Sequence, residues 1–228
     1  MLNTSMPTML DEAYRLLFEA FGPQHWWPGE TPFEVIVGAV LTQNTNWRNV
    51  ERAIDNLRQA DLLEPRPLYE VPVEELEELI QPAGYFRVKA RRLRSLLEFI
   101  IEQFDGSLDE MFRTELSELR RRLLDVHGIG PETADSILLY AGGLPSFVVD
   151  AYTHRVFARH GWIDFDADYH RIQEYAQDEL PQDVRMYNEF HALLVRVGKD
   201  FCRKSKPKCE ECPLREMLPN GGPLAPDF

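Results

Sequence analysis

Cysteines are few in this sequence and long apolar runs are missing. Only three of its 228 residues are cysteine, and a small, odd number of cysteines does not suit a framework of disulfides. No run of eighteen apolar residues occurs, and the first ten residues lack the basic start and apolar centre of a secretion signal. Neither a membrane span nor export is therefore predicted. We expect a cytoplasmic, monomeric protein that does not bind membranes.

Basic residues are also scarce. Lysine and arginine number 25 against 38 aspartates and glutamates, which gives a net charge of −13. This balance argues against a nucleic-acid binder, because such proteins usually carry a basic face. The basic residues are concentrated, however, in three segments, 87–94, 120–122 and 203–208. Since binding depends on the local field, these segments still allow a DNA-facing side.

No convincing pair of strand patterns is present, and nearly every periodic segment has the helical period. Thr31-Pro32-Phe33-Glu34 combines a capping box with proline at the first helical position. With 44% hydrophobic residues, the chain can form one or two compact domains. We predict an all-α protein with helices at about 10–21, 33–41, 47–60, 73–80, 87–104, 114–126, 131–141, 151–160, 169–180 and 183–201.

A glycine-rich turn separates two of these helices. Gly128-Ile129-Gly130 precedes Pro131, a residue suited to the first helical position. Two glycines allow a tight hairpin whose backbone N–H groups can bind a phosphate at the helix N-terminus. An ordinary helix–helix turn explains the same residues. Farther along, Asp150 follows an apolar segment and precedes a helix, a position typical of a helix N-cap.

The order of hairpin, helix, apolar segment and aspartate resembles the helix-hairpin-helix and Gly/Pro-Asp signature of the endonuclease III superfamily of DNA glycosylases. The resemblance implies a six-helix barrel over residues 31–144, with residues 1–30 and 145–228 in a second helical domain and a DNA-binding cleft between the two. It also implies that Asp150 is catalytic. A carboxylate can stabilise the cation that forms when an N-glycosidic bond breaks, or can activate the attacking water.

Members of this superfamily that also cleave the strand carry a lysine two residues after the second hairpin glycine. Glu132 stands at that position. A carboxylate cannot form the Schiff base that strand cleavage needs. We therefore expect an enzyme that only removes bases, with Glu132 at the base pocket. Favourable interaction with the helix dipole is the simpler explanation of this residue.

A tryptophan-rich segment resembles 3-methyladenine DNA glycosylase III, a branch of the same superfamily. The resemblance places Trp27, Pro28 and Trp47 in the base pocket and makes Gln43 the wedge that fills the space of the flipped base. Indole faces attract a cationic alkylated purine by about 0.5–2 kcal/mol, and we expect the two tryptophans to sandwich the base. The alternative is that each tryptophan is a core residue, which is the more common role of this residue type.

Further DNA contacts are expected from the hairpin and from lysine and arginine side chains. The segment 82–90 matches a loop and helix start of the superfamily, and the basic loop 203–208 lies between two cysteines. Such residues position the protein on phosphates without reading sequence. The predicted DNA-binding residues are Gln43, Arg87, Lys89, Gly128, Ile129, Gly130, Lys206 and Lys208.

The three cysteines have the spacing of iron–sulfur glycosylases. Cys202, Cys209 and Cys212 match three of the four positions, and Leu218 stands where the superfamily has the fourth. Four thiolates normally hold a [4Fe–4S] cluster. We predict such a cluster with an unidentified fourth ligand. A zinc ion is the alternative, and it too would need a fourth ligand.

These features predict a DNA glycosylase of base excision repair that hydrolytically removes alkylated purines from double-stranded DNA without cutting the strand. One alternative is an endonuclease III-like glycosylase and lyase for oxidised pyrimidines, which would need an amine from elsewhere. The other is a non-catalytic protein that binds DNA structures. Glu132 favours the first function over the second, and Asp150 with the aromatic residues favours an enzyme over a binding protein.

Overall fold

The computed structural model describes residues 7–226, and the predicted all-α fold is confirmed: this range contains no strand. Two short 3₁₀ helices, Cys209–Glu211 and Arg215–Met217, follow the last α-helix. The α-helices in this range are α1 Met9–Phe21, α2 Pro32–Leu41, α3 Trp47–Gln59, α4 Pro65–Glu70, α5 Val73–Leu79, α6 Phe86–Phe104, α7 Leu108–Phe112, α8 Leu116–Leu124, α9 Pro131–Ser136, α10 Ala151–Arg159, α11 Tyr169–Glu179 and α12 Val184–Asp200.

The chain divides into two compact units. The central unit spans Trp27–Ser146, and the described part of the terminal unit combines residues 7–26 with residues 147–226. The described part of the central unit holds eight α-helices, α2 to α9, where the sequence predicted six. The two unpredicted helices, α4 and α7, have six and five residues. Both are too short to display a helical period.

Helix α2 lies inside the core of the central unit. Its N-cap Thr31 accepts a hydrogen bond from the backbone nitrogen of Glu34 at 3.1 Å, and every residue from Phe33 to Leu41 is buried. The Glu34 carboxylate pairs with the Arg58 guanidinium at 2.9 Å. The capping box predicted from the sequence is therefore formed on one side only, because the buried carboxylate needs a cation.

A second buried ion pair joins α8 to α9. Arg120 donates two hydrogen bonds to the carboxylate of Asp135, at 2.8 and 2.9 Å, and the Ser146 hydroxyl donates to the same carboxylate at 2.6 Å. Arg121 pairs with Glu118 on its own helix. In the basic segment 120–122, Arg120 therefore serves the core and Arg121 forms a surface ion pair, which leaves fewer cations in this segment for DNA than the sequence suggested.

The terminal unit is built around α12, whose residues are buried over most of its length. Helix α10 packs closely on α12. The ring of Tyr152 lies against Gly198, where a Cβ atom would come within 2.4 Å of it. Each of the helices α10, α11 and α12 begins at an aspartate whose carboxylate caps the first turn: Asp150, Asp168 and Asp183.

Within residues 7–226, no helix has the length and apolar character needed to cross a membrane.

Candidate functional site

The hairpin of the central unit is shaped by its first glycine. Gly128 has a φ of +85°, and a Cβ atom there would lie 2.3 Å from Cγ of Arg92. Both the backbone angle and the space therefore require glycine. Gly130 differs, since it is the N-cap of α9 in extended conformation and a Cβ atom there would meet nothing within 4 Å. The backbone at Gly130 consequently faces open space.

The predicted DNA contact at Ile129 needs a correction. Its side chain is buried, and its backbone N–H donates to the carbonyl oxygen of Val126 at 3.1 Å. Neither group is available to a phosphate in this conformation. Ile129 anchors the hairpin to the core, and of the two flanking glycines Gly130 is exposed and Gly128 is half-buried.

Gln43 fastens the end of α2 to the hairpin. Its amide nitrogen donates to the Thr133 hydroxyl at 2.8 Å and to the Gly128 carbonyl at 3.3 Å, and its amide oxygen accepts from Arg92. The sequence predicted a wedge that projects into the DNA. In this structure both ends of the amide are bound within the protein, so this prediction is corrected: Gln43 could enter DNA only by breaking these hydrogen bonds.

Three aromatic rings form a cluster in the central unit. The ring centres of Trp27 and Trp47 lie 5.2 Å apart at an angle of 89°, and those of Trp27 and Tyr140 lie 5.1 Å apart at 35°. Both indoles approach Gly38, where an added Cβ atom would find each at 3.5 Å. An edge-to-face pair at this distance leaves no room for a base between the indoles, so the predicted sandwich is wrong for this conformation.

Tyr140 is the member of this cluster that the sequence analysis missed. It lies in a π-helical turn, Ile137–Ala141, that continues α9. Such turns are rare and often occur at functional sites. Nothing in the sequence marks this turn, because its side chains are apolar like those of an ordinary buried helix.

Pro28 and Glu132, the other two predicted pocket residues, are exposed. Glu132 lies in the first turn of α9, where its charge interacts favourably with the helix dipole. Its backbone carbonyl accepts a hydrogen bond from the Ser136 hydroxyl at 2.7 Å.

Asp150 caps α10 with one of its two carboxylate oxygens. Oδ1 accepts hydrogen bonds from the backbone nitrogens of Tyr152 and Thr153 at 2.9 and 2.7 Å. Oδ2 lies 3.7 Å from Nε2 of His191, and the Asp150 side chain is 13% exposed. Burial lowers the pKa of His191, and the charge of Asp150 opposes this shift. The carboxylate therefore faces a buried imidazole that favours the neutral form.

Lys89 is a clear correction to the predicted DNA contacts. Its side chain is 1% exposed, and Nζ donates to the backbone oxygens of Leu41 and Ala83, both at 2.8 Å. Burial lowers its pKa to about 8. This ammonium group holds the C-terminal end of α2 and cannot reach DNA. Arg87, two residues earlier, has a 77% exposed side chain 3.6 Å from Glu77.

The cysteine-bearing loop of the terminal unit is fastened to α10 by two arginines. Arg155 donates to the backbone oxygens of Cys202 at 2.6 Å and Gly198 at 3.0 Å. Arg159 donates to the backbone oxygens of Arg203 at 2.6 Å and Lys204 at 3.0 Å. The loop side chains Lys206 and Lys208 are exposed, and Nζ of Lys208 lies 3.7 Å from Glu211.

The three cysteines are free and line one cavity, together with Leu218 and His160. Burial raises the pKa of Cys209 and raises that of Cys212 to about 11, and repulsion from the neighbouring thiols adds to both shifts. Thiols crowded in this way are stabilised by a cation that binds their deprotonated form.

No group of three or more His, Cys, Asp or Glu side chains in residues 7–226 is arranged to hold a metal ion. A zinc ion needs four ligands around one centre. The ligands of a [4Fe–4S] cluster bind different iron atoms and lie farther apart, so three thiols around one cavity fit a cluster better than a single ion.

Comparison with known proteins identifies the family. The model of the HhH-GPD superfamily of base excision DNA repair proteins matches residues 37–182. The chain belongs to this superfamily. A Methanocaldococcus jannaschii protein, provisionally named a DNA repair glycosylase, is 50% identical over 211 residues, which cover 92% of this chain and 95% of that protein. This HhH-GPD protein is thus a DNA glycosylase of base excision repair.

Solved structures share the fold. An endonuclease III in a non-covalent complex with DNA has a TM-score of 0.78 at 23% identity, over 92% of this chain and 93% of that chain. The H. pylori 3-methyladenine DNA glycosylase bound to 1,N6-ethenoadenine has a TM-score of 0.73 at 29% identity, over 82% of this chain and 96% of that chain. The resemblance to the endonuclease III superfamily is therefore confirmed.

Proposed function

We propose that this HhH-GPD protein removes alkylated purines from double-stranded DNA by hydrolysis and leaves the strand intact. The observation that carries the substrate class is the cluster of Trp27, Trp47 and Tyr140. Electron-rich rings favour a cationic alkylated base over its neutral parent. The H. pylori relative, 29% identical, is a 3-methyladenine glycosylase, and this similarity supports the same class.

Asp150 supplies the charge for the reaction. As the bond between C1′ and the base nitrogen breaks, its electron pair leaves with the base and positive charge develops on the sugar. The carboxylate stabilises that charge, and water then adds to C1′ and loses a proton. Because the hydrogen bonds to Tyr152 and Thr153 hold Oδ1, the carboxylate is preorganised and need not reorient during the reaction.

The base reaches the pocket by rotating out of the duplex. We propose that the aromatic rings receive it by rearranging, because the edge-to-face pair of Trp27 and Trp47 closes the space between them. The proposed phosphate contacts are of two kinds. The first are the exposed residues Arg87, Gly130, Lys206 and Lys208. The second is Gly128, whose positive φ shapes the hairpin.

The absence of strand cleavage rests on Glu132, which offers a carboxylate where an amine would be needed. A lyase acting on oxidised pyrimidines is the second candidate. It is favoured by the likeness of fold to endonuclease III, and it would require an amine other than residue 132.

We also propose that Cys202, Cys209 and Cys212 hold a [4Fe–4S] cluster, since the three thiols line one cavity. When bound, such a cluster supplies electron-transfer capacity and a rigid anchor for its loop. The protein's own contribution is to orient that loop through Arg155 and Arg159, which places the exposed lysines for contact with phosphate.

A panel of duplex oligonucleotides, each with one defined lesion, tests substrate and strand cleavage together. We expect alkali-dependent breaks at 3-methyladenine or 7-methylguanine, and no breaks without alkali. Borohydride in the presence of abasic DNA should trap no covalent complex. Cleavage at oxidised pyrimidines without alkali, with a complex that maps to a lysine, would establish the second candidate instead.

A further inference from the structure

His160, at the C-terminal end of α10, has an unexplained ring nitrogen. Its Nδ1 lies 2.7 Å from the backbone oxygen of Val156. Its Nε2 is buried and makes no hydrogen bond to any part of the chain between residues 7 and 226. The residue as a whole is 7% exposed. Buried polar atoms are nearly always satisfied, so this nitrogen requires an explanation.

The hydrogen bond to Val156 fixes the tautomer of the ring. A backbone carbonyl can only accept, so Nδ1 must carry the proton and donate it. In the neutral ring Nε2 then carries the lone pair. A histidine that donates one N–H to a carbonyl and offers the other nitrogen as a lone pair has the usual arrangement of a metal ligand.

His160 lies beside the three cysteines, where its lone pair could bind a metal. His160 lines the same cavity as Cys202, Cys209 and Cys212. The remaining lining includes Leu218, whose side chain has no donor atom, and two arginines, which cannot be deprotonated to bind a metal. Among the residues that line the cavity, His160 is the one non-cysteine side chain with a lone pair suited to iron.

We propose that Nε2 of His160 is the fourth protein ligand of the iron–sulfur cluster, beside the three cysteine thiolates. The inference rests on the proposed cluster and identifies the ligand that the leucine at position 218 leaves open. A neutral imidazole in place of a thiolate makes the cluster one unit less negative, and histidine ligation raises the reduction potential of iron–sulfur centres. Arg159, whose guanidinium lies 3.4 Å from Sγ of Cys202, acts in the same direction.

The proposal is tested on the full-length protein, purified or reconstituted without oxygen, by pulsed electron paramagnetic resonance of the reduced cluster. We expect strong nitrogen hyperfine coupling in the wild type, with four irons per chain. His160→Cys should keep the irons, lose the nitrogen coupling and lower the reduction potential. His160→Ala should lose part of the iron. His170→Gln, which changes an exposed histidine on α11, should leave all three measurements unchanged.

The contrary results separate the two proposals. If the wild type takes up no iron after anaerobic reconstitution, the cluster and the ligand are both overturned. If it holds four irons without nitrogen coupling, or if the coupling and the potential persist in a folded His160→Cys protein, only the role of His160 is overturned. His160 would then be a buried histidine of the core whose Nδ1 donates to the backbone oxygen of Val156.

Discussion

The two units treat their buried charges differently. In the central unit, Asp135 receives two hydrogen bonds from Arg120 and one from Ser146, and Lys89 donates to two carbonyls. In the terminal unit, Asp150 commits one oxygen to the helix cap and holds the other 3.7 Å from His191, beyond a normal hydrogen bond. A buried charge with a full set of partners serves the fold, whereas one that is only partly engaged is available for chemistry.

The largest effect on activity is expected from a change at Asp150, the partly engaged charge of the terminal unit. Asp150→Asn keeps an N-cap side chain but removes the charge, so base release should slow by about 10²–10³-fold, or roughly 3–4 kcal/mol. Single-turnover rates and duplex affinity on the same lesion measure this, and affinity should change by only a few fold. Asp183→Asn, the cap of α12, is the matched control and should retain activity. A wild-type rate in folded Asp150→Asn would remove this residue from the reaction.

The matching experiment in the central unit concerns Lys89. Lys89→Met leaves the oxygens of Leu41 and Ala83 without their donor, which should cost about 2–4 kcal/mol of unfolding free energy. Urea unfolding measures this loss. The folded fraction should keep its activity and the salt dependence of its DNA affinity, because Lys89 is buried. A change in the salt dependence of DNA affinity would instead support the DNA contact predicted from the sequence.

The difference in stability between Lys89→Met and the wild type should also depend on pH. Since the pKa of Lys89 is lowered from 10.5 to about 8 in the folded protein, the unfolded chain binds that proton more tightly between these values. Wild-type stability should therefore rise with pH across this window, by up to about 1.4 kcal/mol per unit from this group. In Lys89→Met this contribution is absent, so the gap between the two proteins should widen from pH 7 to pH 10. A constant gap would contradict the lowered pKa.

A smaller effect is expected at the aromatic cluster. Trp47→Ala should reduce activity on alkylated purines by about 1–3 kcal/mol through lost stacking. The fold should also be destabilised, because Trp47 packs against the core of the central unit. Trp47→Phe keeps a ring and should retain more of both properties. Normal activity of the folded Trp47→Ala fraction would assign the cluster to the core alone.

The smallest expected effect lies on the cysteine-bearing loop. Lys206→Ala should weaken binding to damaged and undamaged duplexes alike, and it should reduce the slope of log affinity against log salt by about one unit. Arg15→Ala removes a cation that pairs with Glu12 and Glu19 on α1, and it should leave the slope unchanged. A changed lesion preference in Lys206→Ala would show that this residue contacts the base instead of the backbone.

Local chemistry made much of the fold predictable. Residues that favour helix starts mark them, as the N-caps Thr31 and Asp150 do and as Pro131 does at the first helical position. The burial of Lys89 also had a signal, because Lys89, Leu93, Leu96 and Ile100 follow one helical face and all four are buried. This spacing predicts a buried side chain at position 89, in conflict with the DNA contact that the surrounding motif implies.

Long-range partners were beyond the reach of the sequence. Arg120 and Asp135 carry no pattern that pairs them, and Tyr140 enters the aromatic cluster through a π-helical turn that apolar periodicity cannot reveal. The partners of Gln43 likewise depend on how three segments pack together. These contacts follow from tertiary packing, which overrides local preference.

The cysteine-bearing loop is held in place by hydrogen bonds from the protein itself. We call the two arginines that make them the arginine clamp. Arg155 and Arg159 hold four backbone carbonyls of residues 198–204 from α10, and none of these hydrogen bonds involves a metal. With the proposed cluster as a second fastening, the loop would keep these four hydrogen bonds when the cluster is lost. The same helix carries Asp150, the proposed catalytic residue, at its start, so a change that displaced α10 would disturb the loop and this carboxylate together.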